Sequence, residues 1–312
     1  MALNSLIRTS DLSPVDVARI LYHAEEFRQQ PDRNGTLLQG RTVVQYFAKP
    51  STRTRLSLHE AVARLGGVPV AVNDSDLQLD RGETVEDTAR VVSRYAAAFT
   101  ARTFSDELIV NFARSATVPV VNALTDTDHP LQSLADLMTI GQRFGSPKGC
   151  RVAYLGDANN VCTSLLQACA LTGAHITVAA PDGYGPDPAT VAHAAALADP
   201  TEGSVNVTTD PEEACRDADV VYTDVWVSMG DPAESQQARL EAFAPYQVTE
   251  RLMGLAAGDA IFMHCLPAHR GQEVAAAVMD GPASLVFDQA ENRLWTSMAV
   301  LAMLLRGRLE GR

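Results

Sequence analysis

Residues Ser51–Arg55 place three hydroxyl groups and two guanidinium groups in five consecutive positions. They follow a predicted strand, Thr42–Ala48, through Lys49-Pro50 and occupy the predicted start of a helix. The N–H groups at a helix N-terminus and the planar forks of arginines both bind anions, so these residues predict a phosphate-binding turn without a Walker pattern. The same five residues also fit an ordinary helix start that is capped and solvated.

Arg102 and His129 are two further candidates, because each follows a predicted strand. Arg102 directly follows the predicted strand Ala98–Ala101. His129 is the first residue of a His-Pro-Leu-Gln segment that ends at Gln132. A guanidinium and an imidazole can together polarise a carbonyl oxygen on which negative charge develops. Taken singly, Arg102 also fits a surface ion pair, and His129 fits a structural histidine before a helix with proline in its first turn.

Polar residues also follow the predicted strands of the C-terminal half of the chain. Asn160 comes after the strand Arg151–Leu155, and Asp224 comes after Asp219–Thr223. Parallel sheets bind ligands beyond the carboxyl ends of their strands, which makes both residues candidates. Asp224 also fits a helix cap. The following segment, 228–232, fits either an ordinary surface loop or a mobile lid.

The segment His264–His269 contains two histidines and one cysteine, a composition that suggests a zinc site. The second ligand pair that structural zinc requires is absent nearby, so we predict no metal. Cys265 fits a nucleophile, although a buried structural thiol is the commoner role of a cysteine. The glycine spacing of dinucleotide-binding folds is also absent around Gly156, which disfavours a nicotinamide-dependent dehydrogenase, and we predict no cofactor.

Predicted strands and helices alternate along the whole chain, a pattern typical of parallel sheets flanked by helices. We predict an α/β protein of two such domains, residues 1–145 and 146–288, joined at the Ser-Pro-Lys-Gly turn that starts at Ser146. The last helix, 289–312, is expected to pack back on the first domain. The polar clusters then fall on the carboxyl edges of the sheets, and we expect the active site in the cleft between the domains.

The composition excludes several classes of protein. A chain of 312 residues exceeds the usual size of one core, and its net charge of −13 disfavours nucleic acid and anionic membranes as partners. No apolar run is long enough to span a bilayer. The five cysteines are an odd number without a C-x-x-C pair, which argues against a disulfide framework. With no recognisable secretion or transit signal at the N-terminus, a cytoplasmic location is expected.

Three segments carry a resemblance to a known family: Phe47–Arg55, His129–Gln132 and His264–Pro267 look like the three signatures of the carbamoyltransferases. Asp224–Gly230 and the cysteine of the third signature resemble the ornithine branch of that family rather than the aspartate branch. The likeness extends through Asp76–Leu79 and spans essentially the whole chain, up to and including Ala290–Arg293.

The resemblance implies a role for each matching residue. The residues that would bind carbamoyl phosphate are Ser51, Thr52, Arg53, Thr54, Gln78, Arg102, His129, Gln132, Cys265, Leu266 and Arg293. Those that would bind ornithine are Asn160, Asp224, Ser228 and Met229. The catalytic residues among them would be Arg102, His129, Cys265 and Asp224. Family members are typically trimers or assemblies of trimers, in which a residue matching Gln78 reaches the neighbouring subunit's site.

The implied reaction is direct transfer of the carbamoyl group from carbamoyl phosphate to the δ-amine of L-ornithine, giving L-citrulline and phosphate in arginine metabolism. Two positions depart from the usual pattern: Leu131 stands where a cysteine is frequent, and Ala158 where a glycine is common. They leave room for another amine acceptor, such as a modified ornithine or putrescine. A non-catalytic family member that only binds these ligands is a further alternative.

Overall fold

The computed structural model describes residues 3–31, 35–227 and 233–309. The chain forms two compact units, Met1–Met138 with Glu291–Arg312, and Thr139–Ala290. We predicted the first boundary at the turn after Gly145, whereas the structure assigns the end of the preceding helix to the second unit. Ile140 and Phe144 on that helix pack into the second unit's core, which explains the difference.

The described residues form nine strands and twelve α-helices. The strands are β1 (Thr42–Phe47), β2 (Val68–Val72), β3 (Ala96–Arg102), β4 (Val120–Leu124), β5 (Arg151–Leu155), β6 (His175–Ala179), β7 (Ser204–Thr208), β8 (Val220–Thr223) and β9 (Ile261–His264). The helices are α1 (Pro14–Gln29), α2 (Arg53–Arg64), α3 (Val85–Tyr95), α4 (Asp106–Ser115), α5 (Pro130–Phe144), α6 (Asn160–Thr172), α7 (Pro188–Ala198), α8 (Pro211–Cys215), α9 (Ala233–Phe243), α10 (Glu250–Met253), α11 (Ala276–Met279) and α12 (Val286–Leu309). Short 3₁₀ turns lie at Thr9–Asp11, Asp74–Asp76, Leu79–Arg81, Asp199–Thr201 and Ala244–Tyr246.

The first unit contains a four-stranded sheet in the order β2-β1-β3-β4, and all its strand pairs are parallel. Side chains on a strand alternate between its faces, and β1 shows this directly. Tyr46 joins an apolar cluster with Phe99 and Phe112, whose rings stack 3.8 Å apart between centroids. Gln45 points to the opposite face and is also buried, so the sheet is covered on both faces at β1.

The second unit contains a five-stranded parallel sheet in the order β7-β6-β5-β8-β9. Val152 and Tyr154 pack into the core on one face, and Ala153 and Leu155 into the core on the other. The predicted α/β class with two parallel, helix-flanked sheets is therefore confirmed. No helix among the described residues has the length and apolar character needed to cross a membrane.

Parallel pairing determines where the polar loops emerge. In the first unit the loops after β1, β3 and β4 leave one edge of the sheet from neighbouring strands, and in the second unit the loops after β5, β8 and β9 do the same. Each group includes the point at which the strand order reverses, between β1 and β3 or between β5 and β8. Such switch points are where open α/β sheets bind ligands.

Gly66 ends α2 and sets the direction of the chain toward β2. Its N–H donates to the carbonyl of Ala63, and the N–H of Gly67 donates to that of Val62, which is the Schellman arrangement. The φ angle of Gly66 is +83°, and a Cβ added there would lie 2.0 Å from the carbonyl oxygen of Gly35. Only glycine fits this position without moving the neighbouring backbone.

We expect Gly66→Ala to lower the free energy of unfolding by about 3 kcal/mol or more, because backbone strain and a backbone clash add together. Gly40→Ala is the matched control, since Gly40 also has a positive φ, of +71°, but faces open space. It should cost only about 1 kcal/mol. Urea denaturation of the three proteins measures both values, and equal losses would contradict the steric explanation.

Candidate active site

The turn before α2 brings the hydroxyl groups of the first predicted cluster to the carboxyl end of β1. The Oγ of Ser51 accepts a hydrogen bond from the backbone N–H of Thr54 at 3.2 Å. Thr52 occupies the N-cap position, yet its hydroxyl makes no capping hydrogen bond and is exposed. The bond to Ser51 caps the start of the helix, so the capped and solvated helix start remains an alternative to a phosphate-binding turn. Arg53 is half-buried beside it.

Arg293 connects three helices of the first unit from inside the protein. It is 3% exposed, and its Nη2 donates to the Oγ1 of Thr54 at 2.8 Å. Its Nη1 donates to the Oε1 of Gln132 at 2.9 Å. Gln132 in turn donates through Nε2 to the carboxylate of Asp136, which is fully buried, at 2.9 Å. Residues of α12, α2 and α5 therefore share one charge-assisted network.

His129 lies between the end of β4 and the start of α5, and it is buried. Burial lowers the pKa of its imidazole well below the usual value, and the positive charges of Arg293 and Arg102 lower it further. The ring is therefore neutral at physiological pH and can donate a hydrogen bond without carrying a charge. Arg102 ends β3 in a half-buried position. Five of the residues predicted to bind carbamoyl phosphate thus lie close together in the structure: Thr54, Gln132, Arg293, His129 and Arg102.

Lys49 is a residue of this region that our sequence reasoning did not select. Its Nζ lies 2.5 Å from a carboxylate oxygen of Asp126 and 3.8 Å from the ring centroid of Phe104. It links the turn after β1 to the loop that leads from β4 to His129. Its position two residues before Ser51 was the only signal in the sequence, and it did not identify the partner.

Gln78 is exposed in the segment between β2 and α3. Its Oε1 accepts a hydrogen bond from Arg81 at 3.3 Å, and it is not part of the network around Arg293. The implied role of this residue in a neighbouring subunit stays a prediction.

Asp224 is the centre of the polar cluster in the second unit. It is 6% exposed, and its Oδ1 accepts a hydrogen bond from the Cys265 thiol at 2.9 Å. Its Oδ2 accepts from the Nδ2 of Asn159 at 2.7 Å. The carboxylate thus faces the loops after β5 and β9, and within the described part of the chain it caps no helix. Asn160, the predicted ligand, is the first residue of α6.

Asn159 is a second residue that sequence reasoning did not select, although the Asn-Asn pair was visible. Its Oδ1 accepts hydrogen bonds from the backbone N–H groups of Val161 and Cys162, at 2.9 and 3.2 Å. The same side chain therefore caps α6 and orients Asp224.

Arg239 holds the backbone of the loop after β8 at Trp226. Its Nε donates to the carbonyl of Trp226 at 2.8 Å, and its Nη2 lies 2.7 Å from the carboxylate of Asp157. The guanidinium also faces the rings of Tyr184 and Phe243, 5.1 and 5.4 Å from their centroids. It ties the loop after β5 to the one after β8. Two predicted ornithine ligands, Ser228 and Met229, lie outside the described residues.

The three polar residues Asp224, His264 and Cys265 could in principle hold a cation, because their ligand atoms lie within 4.8 Å of one another. They already bond within the protein: Cys265 donates to Asp224, and the Nδ1 of His264 accepts from the backbone N–H of Leu266. These bonds account for the cluster without an ion, and the absence of a metal stays a prediction.

Cys265 differs from the other four cysteines, all of which are buried while Cys265 is half-buried. Burial raises the pKa of Cys150 to about 11 and that of Cys215 to about 12, and it raises the pKa of Cys162 well above its usual value. A thiol reacts as its thiolate, so these cysteines are unreactive at neutral pH.

The lowered pKa of His129 predicts a pH dependence of stability. The unfolded state takes up a proton below about pH 6.5 while the folded state does not, so the free energy of unfolding falls as the pH falls. We expect the wild type to lose about 1 kcal/mol more than His129→Gln between pH 7.5 and 5.5. Urea denaturation at both pH values tests this, with His193→Gln at an exposed position of α7 as control. Equal losses in wild type and His129→Gln would contradict a neutral buried imidazole.

Two family models match the chain. The model for the carbamoyl-P binding domain of aspartate/ornithine carbamoyltransferase matches residues 4–142, and the model for the Asp/Orn binding domain matches residues 148–304. The resemblance seen in the motifs is thus confirmed over nearly the whole length of the chain.

Individual relatives agree with the family models. The ornithine carbamoyltransferase of Acidothermus cellulolyticus is 52% identical over 303 residues, which are 97% of this chain and 97% of that protein. The anabolic ornithine carbamoyltransferase of Pyrococcus furiosus is 47% identical over 309 residues, 98% of both chains. A solved structure of the ornithine carbamoyltransferase from Pyrococcus furiosus superimposes with a TM-score of 0.94 at 47% identity and covers 98% of each chain. The chain therefore belongs to the aspartate/ornithine carbamoyltransferase family.

Proposed function

We propose that this protein transfers the carbamoyl group of carbamoyl phosphate to the δ-amine of L-ornithine, giving L-citrulline and phosphate. The observation that carries the choice of acceptor is the buried Asp224 carboxylate, held by Cys265 and Asn159. A carboxylate attracts an amine that arrives as a cation, whereas it repels the second carboxylate of aspartate. The relatives described above, named ornithine carbamoyltransferases, support the same choice.

The donor binds to the first unit in this proposal. Ser51, Thr52 and Arg53 hold the phosphate at the start of α2, where the helix dipole favours negative charge. Arg102 and the neutral His129 stabilise the negative charge that develops on the carbonyl oxygen during attack.

Five further residues complete the proposed donor site. Arg293 donates hydrogen bonds to Gln132 and Thr54, so both side chains are already oriented before carbamoyl phosphate binds. Leu266 is proposed to bind the carbamoyl end through its backbone, and Gln78 to contact the donor in a neighbouring subunit. Phosphate then leaves into the turn at which it was bound.

The acceptor must lose a proton before it attacks, because an alkyl ammonium has an unperturbed pKa of about 10.4. Removal from water favours the neutral amine, and the Asp224 carboxylate is the proposed acceptor of the departing proton. Cys265 donates to that carboxylate and fixes its orientation. Asn160, Ser228 and Met229 are the proposed contacts of the α-amino and α-carboxylate groups of ornithine.

Neither departure from the family pattern removes a polar contact. Leu131 is 1% exposed, and Ala158 packs against the apolar core of the second unit. Both side chains therefore contribute to apolar packing. The proposed acceptor remains ornithine rather than putrescine or a modified ornithine.

We also propose a homotrimer that works in the cytoplasm in arginine biosynthesis. The edge strand β2 exposes Val68 and Val70, which are 56% and 38% exposed, and a neighbouring subunit would cover them. All five cysteines are free thiols, which suits a reducing compartment. The biosynthetic direction is supported by the relative named as anabolic.

Turnover of the purified protein tests the reaction itself. We expect citrulline from carbamoyl phosphate and ornithine, with ornithine preferred over aspartate, putrescine, lysine and acetylated ornithine in parallel assays. Preference for another amine would retain the donor site and refute the role of Asp224 in choosing ornithine. No turnover with any amine would indicate a non-catalytic family member.

Two substitutions separate the donor and acceptor roles. Arg293→Lys cannot reach Thr54 and Gln132 together, so the KM for carbamoyl phosphate should rise about tenfold or more while the KM for ornithine changes little. Asp224→Asn should lower kcat about 100-fold, because an amide cannot accept the proton. Steady-state kinetics with each substrate varied in turn measures both effects. Equal changes in both KM values for Arg293→Lys would contradict a donor-specific role.

A further inference from the structure

Glu273 carries a fully buried carboxylate in the second unit, outside the site described above. Its Oε1 accepts a hydrogen bond from the backbone N–H of His269 and lies 3.3 Å from the Nε2 of His264. Its Oε2 lies 3.7 Å from the Nδ1 of His269, too far for a hydrogen bond, and has no hydrogen-bond partner among the described residues. Burying a carboxylate that is only half satisfied costs free energy, so packing alone does not explain Glu273.

The ring of His264 is hydrogen-bonded through one nitrogen, Nδ1, whereas its Nε2 makes no hydrogen bond to any residue that the structure describes and lies 3.3 Å from the Oε1 of Glu273. Its Nδ1 accepts the backbone N–H of Leu266 at 2.8 Å and therefore carries no proton. The ring proton is then on Nε2, the atom that faces the Oε1 of Glu273. A carboxylate favours this tautomer, because it attracts the Nε2–H group.

The same imidazole fixes the turn that contains Cys265 and Leu266. Leu266 has a φ of +59°, a left-handed conformation that is unfavourable for a leucine. Its N–H is bound by the His264 ring in that conformation. The backbone N–H of His264 itself donates to the Oε1 of Gln289 at 3.0 Å, which anchors the end of β9. The side chain of His264, at the end of β9, thus holds the strained turn at Leu266.

The backbone of Glu273 is anchored independently of its carboxylate. Its carbonyl accepts the N–H of Val248 at 2.9 Å, and the neighbouring Val274 is fully buried. A change of the side chain can therefore alter what the carboxylate does without removing the segment from the fold.

We propose that Glu273 is a positioning residue that acts through His264 to hold the Cys265–Leu266 turn in its reactive geometry. This inference rests on the proposed function, in which Leu266 contacts the carbamoyl end of the donor and Cys265 orients Asp224. Glu273 itself touches neither substrate. Loss of its acceptor oxygen frees the His264 ring to change tautomer or rotate, and the turn then relaxes.

Kinetics of two Glu273 variants test the proposal. Glu273→Gln keeps the Oε1 acceptor and should retain kcat/KM for carbamoyl phosphate within about threefold. Glu273→Met keeps the volume but removes the acceptor, and this kcat/KM should fall about tenfold. Asp280→Asn is the control, since it breaks the exposed ion pair with Arg270, 2.6 Å long, close to the same segment without reaching His264. It should behave as wild type.

Alkylation of Cys265 by iodoacetamide gives a readout that does not depend on turnover. Cys265 is the half-buried thiol and the other four are buried, so the fast reaction reports this site, and Cys265→Ser identifies it by abolishing the reaction. We expect Glu273→Met to react several-fold faster than wild type, and Glu273→Gln and Asp280→Asn to react at the wild-type rate.

His264→Gln provides a second route if Glu273→Met fails to fold. Its amide keeps an N–H group close to Glu273, but it removes the Nδ1 acceptor of the Leu266 N–H, so it should show the same lower kcat/KM and faster alkylation. Lower stability with unchanged kcat/KM and unchanged alkylation in the folded variants would overturn the proposal. A wild type that makes no citrulline, with alkylation rates that still differ as expected, would instead refute the proposed function alone.

Discussion

Parallel strand pairing is the constraint on which the remaining structure depends. Every strand pair in both sheets is parallel, so the loop after each strand emerges at the same edge of its sheet as the loops of its neighbours. In the first unit this places Arg102 and His129 on adjacent strand ends, and in the second it places Asp224 and Cys265 on adjacent strand ends. Residues far apart in the sequence thereby form compact polar clusters.

Positive charge is concentrated around His129, although the chain as a whole is negatively charged. The protein carries a net charge of −13, yet Arg293 is buried close enough to His129 to lower the pKa of that imidazole, together with Arg102. A buried cation is costly unless hydrogen bonds satisfy it, and Thr54 and Gln132 provide them. In the proposed function, this local positive region lets an acidic protein attract an anionic substrate.

Much of the fold followed from the sequence, because alternating apolar runs and turn residues are local signals. β5 was predicted with the boundaries that the structure has, and the helix with proline in its first turn after His129 is α5, which starts at Pro130. The predicted boundary and the compact units differ over the end of α5, since Ile140 and Phe144 reveal their packing partners only in three dimensions.

The supporting residues of the site were harder to predict than its motifs. Lys49, Asn159, Arg239 and Glu273 act through partners that lie 77, 65, 13 and 9 positions away in the sequence, and no spacing rule identifies such partners. Glu273 is a single carboxylate in an unremarkable segment, and its meaning depends on complete burial. Residues that orient others carry less local signal than residues that bind a ligand.

The first unit is discontinuous, because Met1–Met138 is joined in it by Glu291–Arg312 from the far end of the chain. Arg293, which fixes Thr54 and Gln132, belongs to this returning part. Domains usually fold in order as the ribosome releases them, starting from the N-terminus. The nascent first unit can form its sheet early, but its anion site gains the buried guanidinium only near the end of synthesis. A chain that stalls before α12 would therefore lack the buried guanidinium of the proposed donor site.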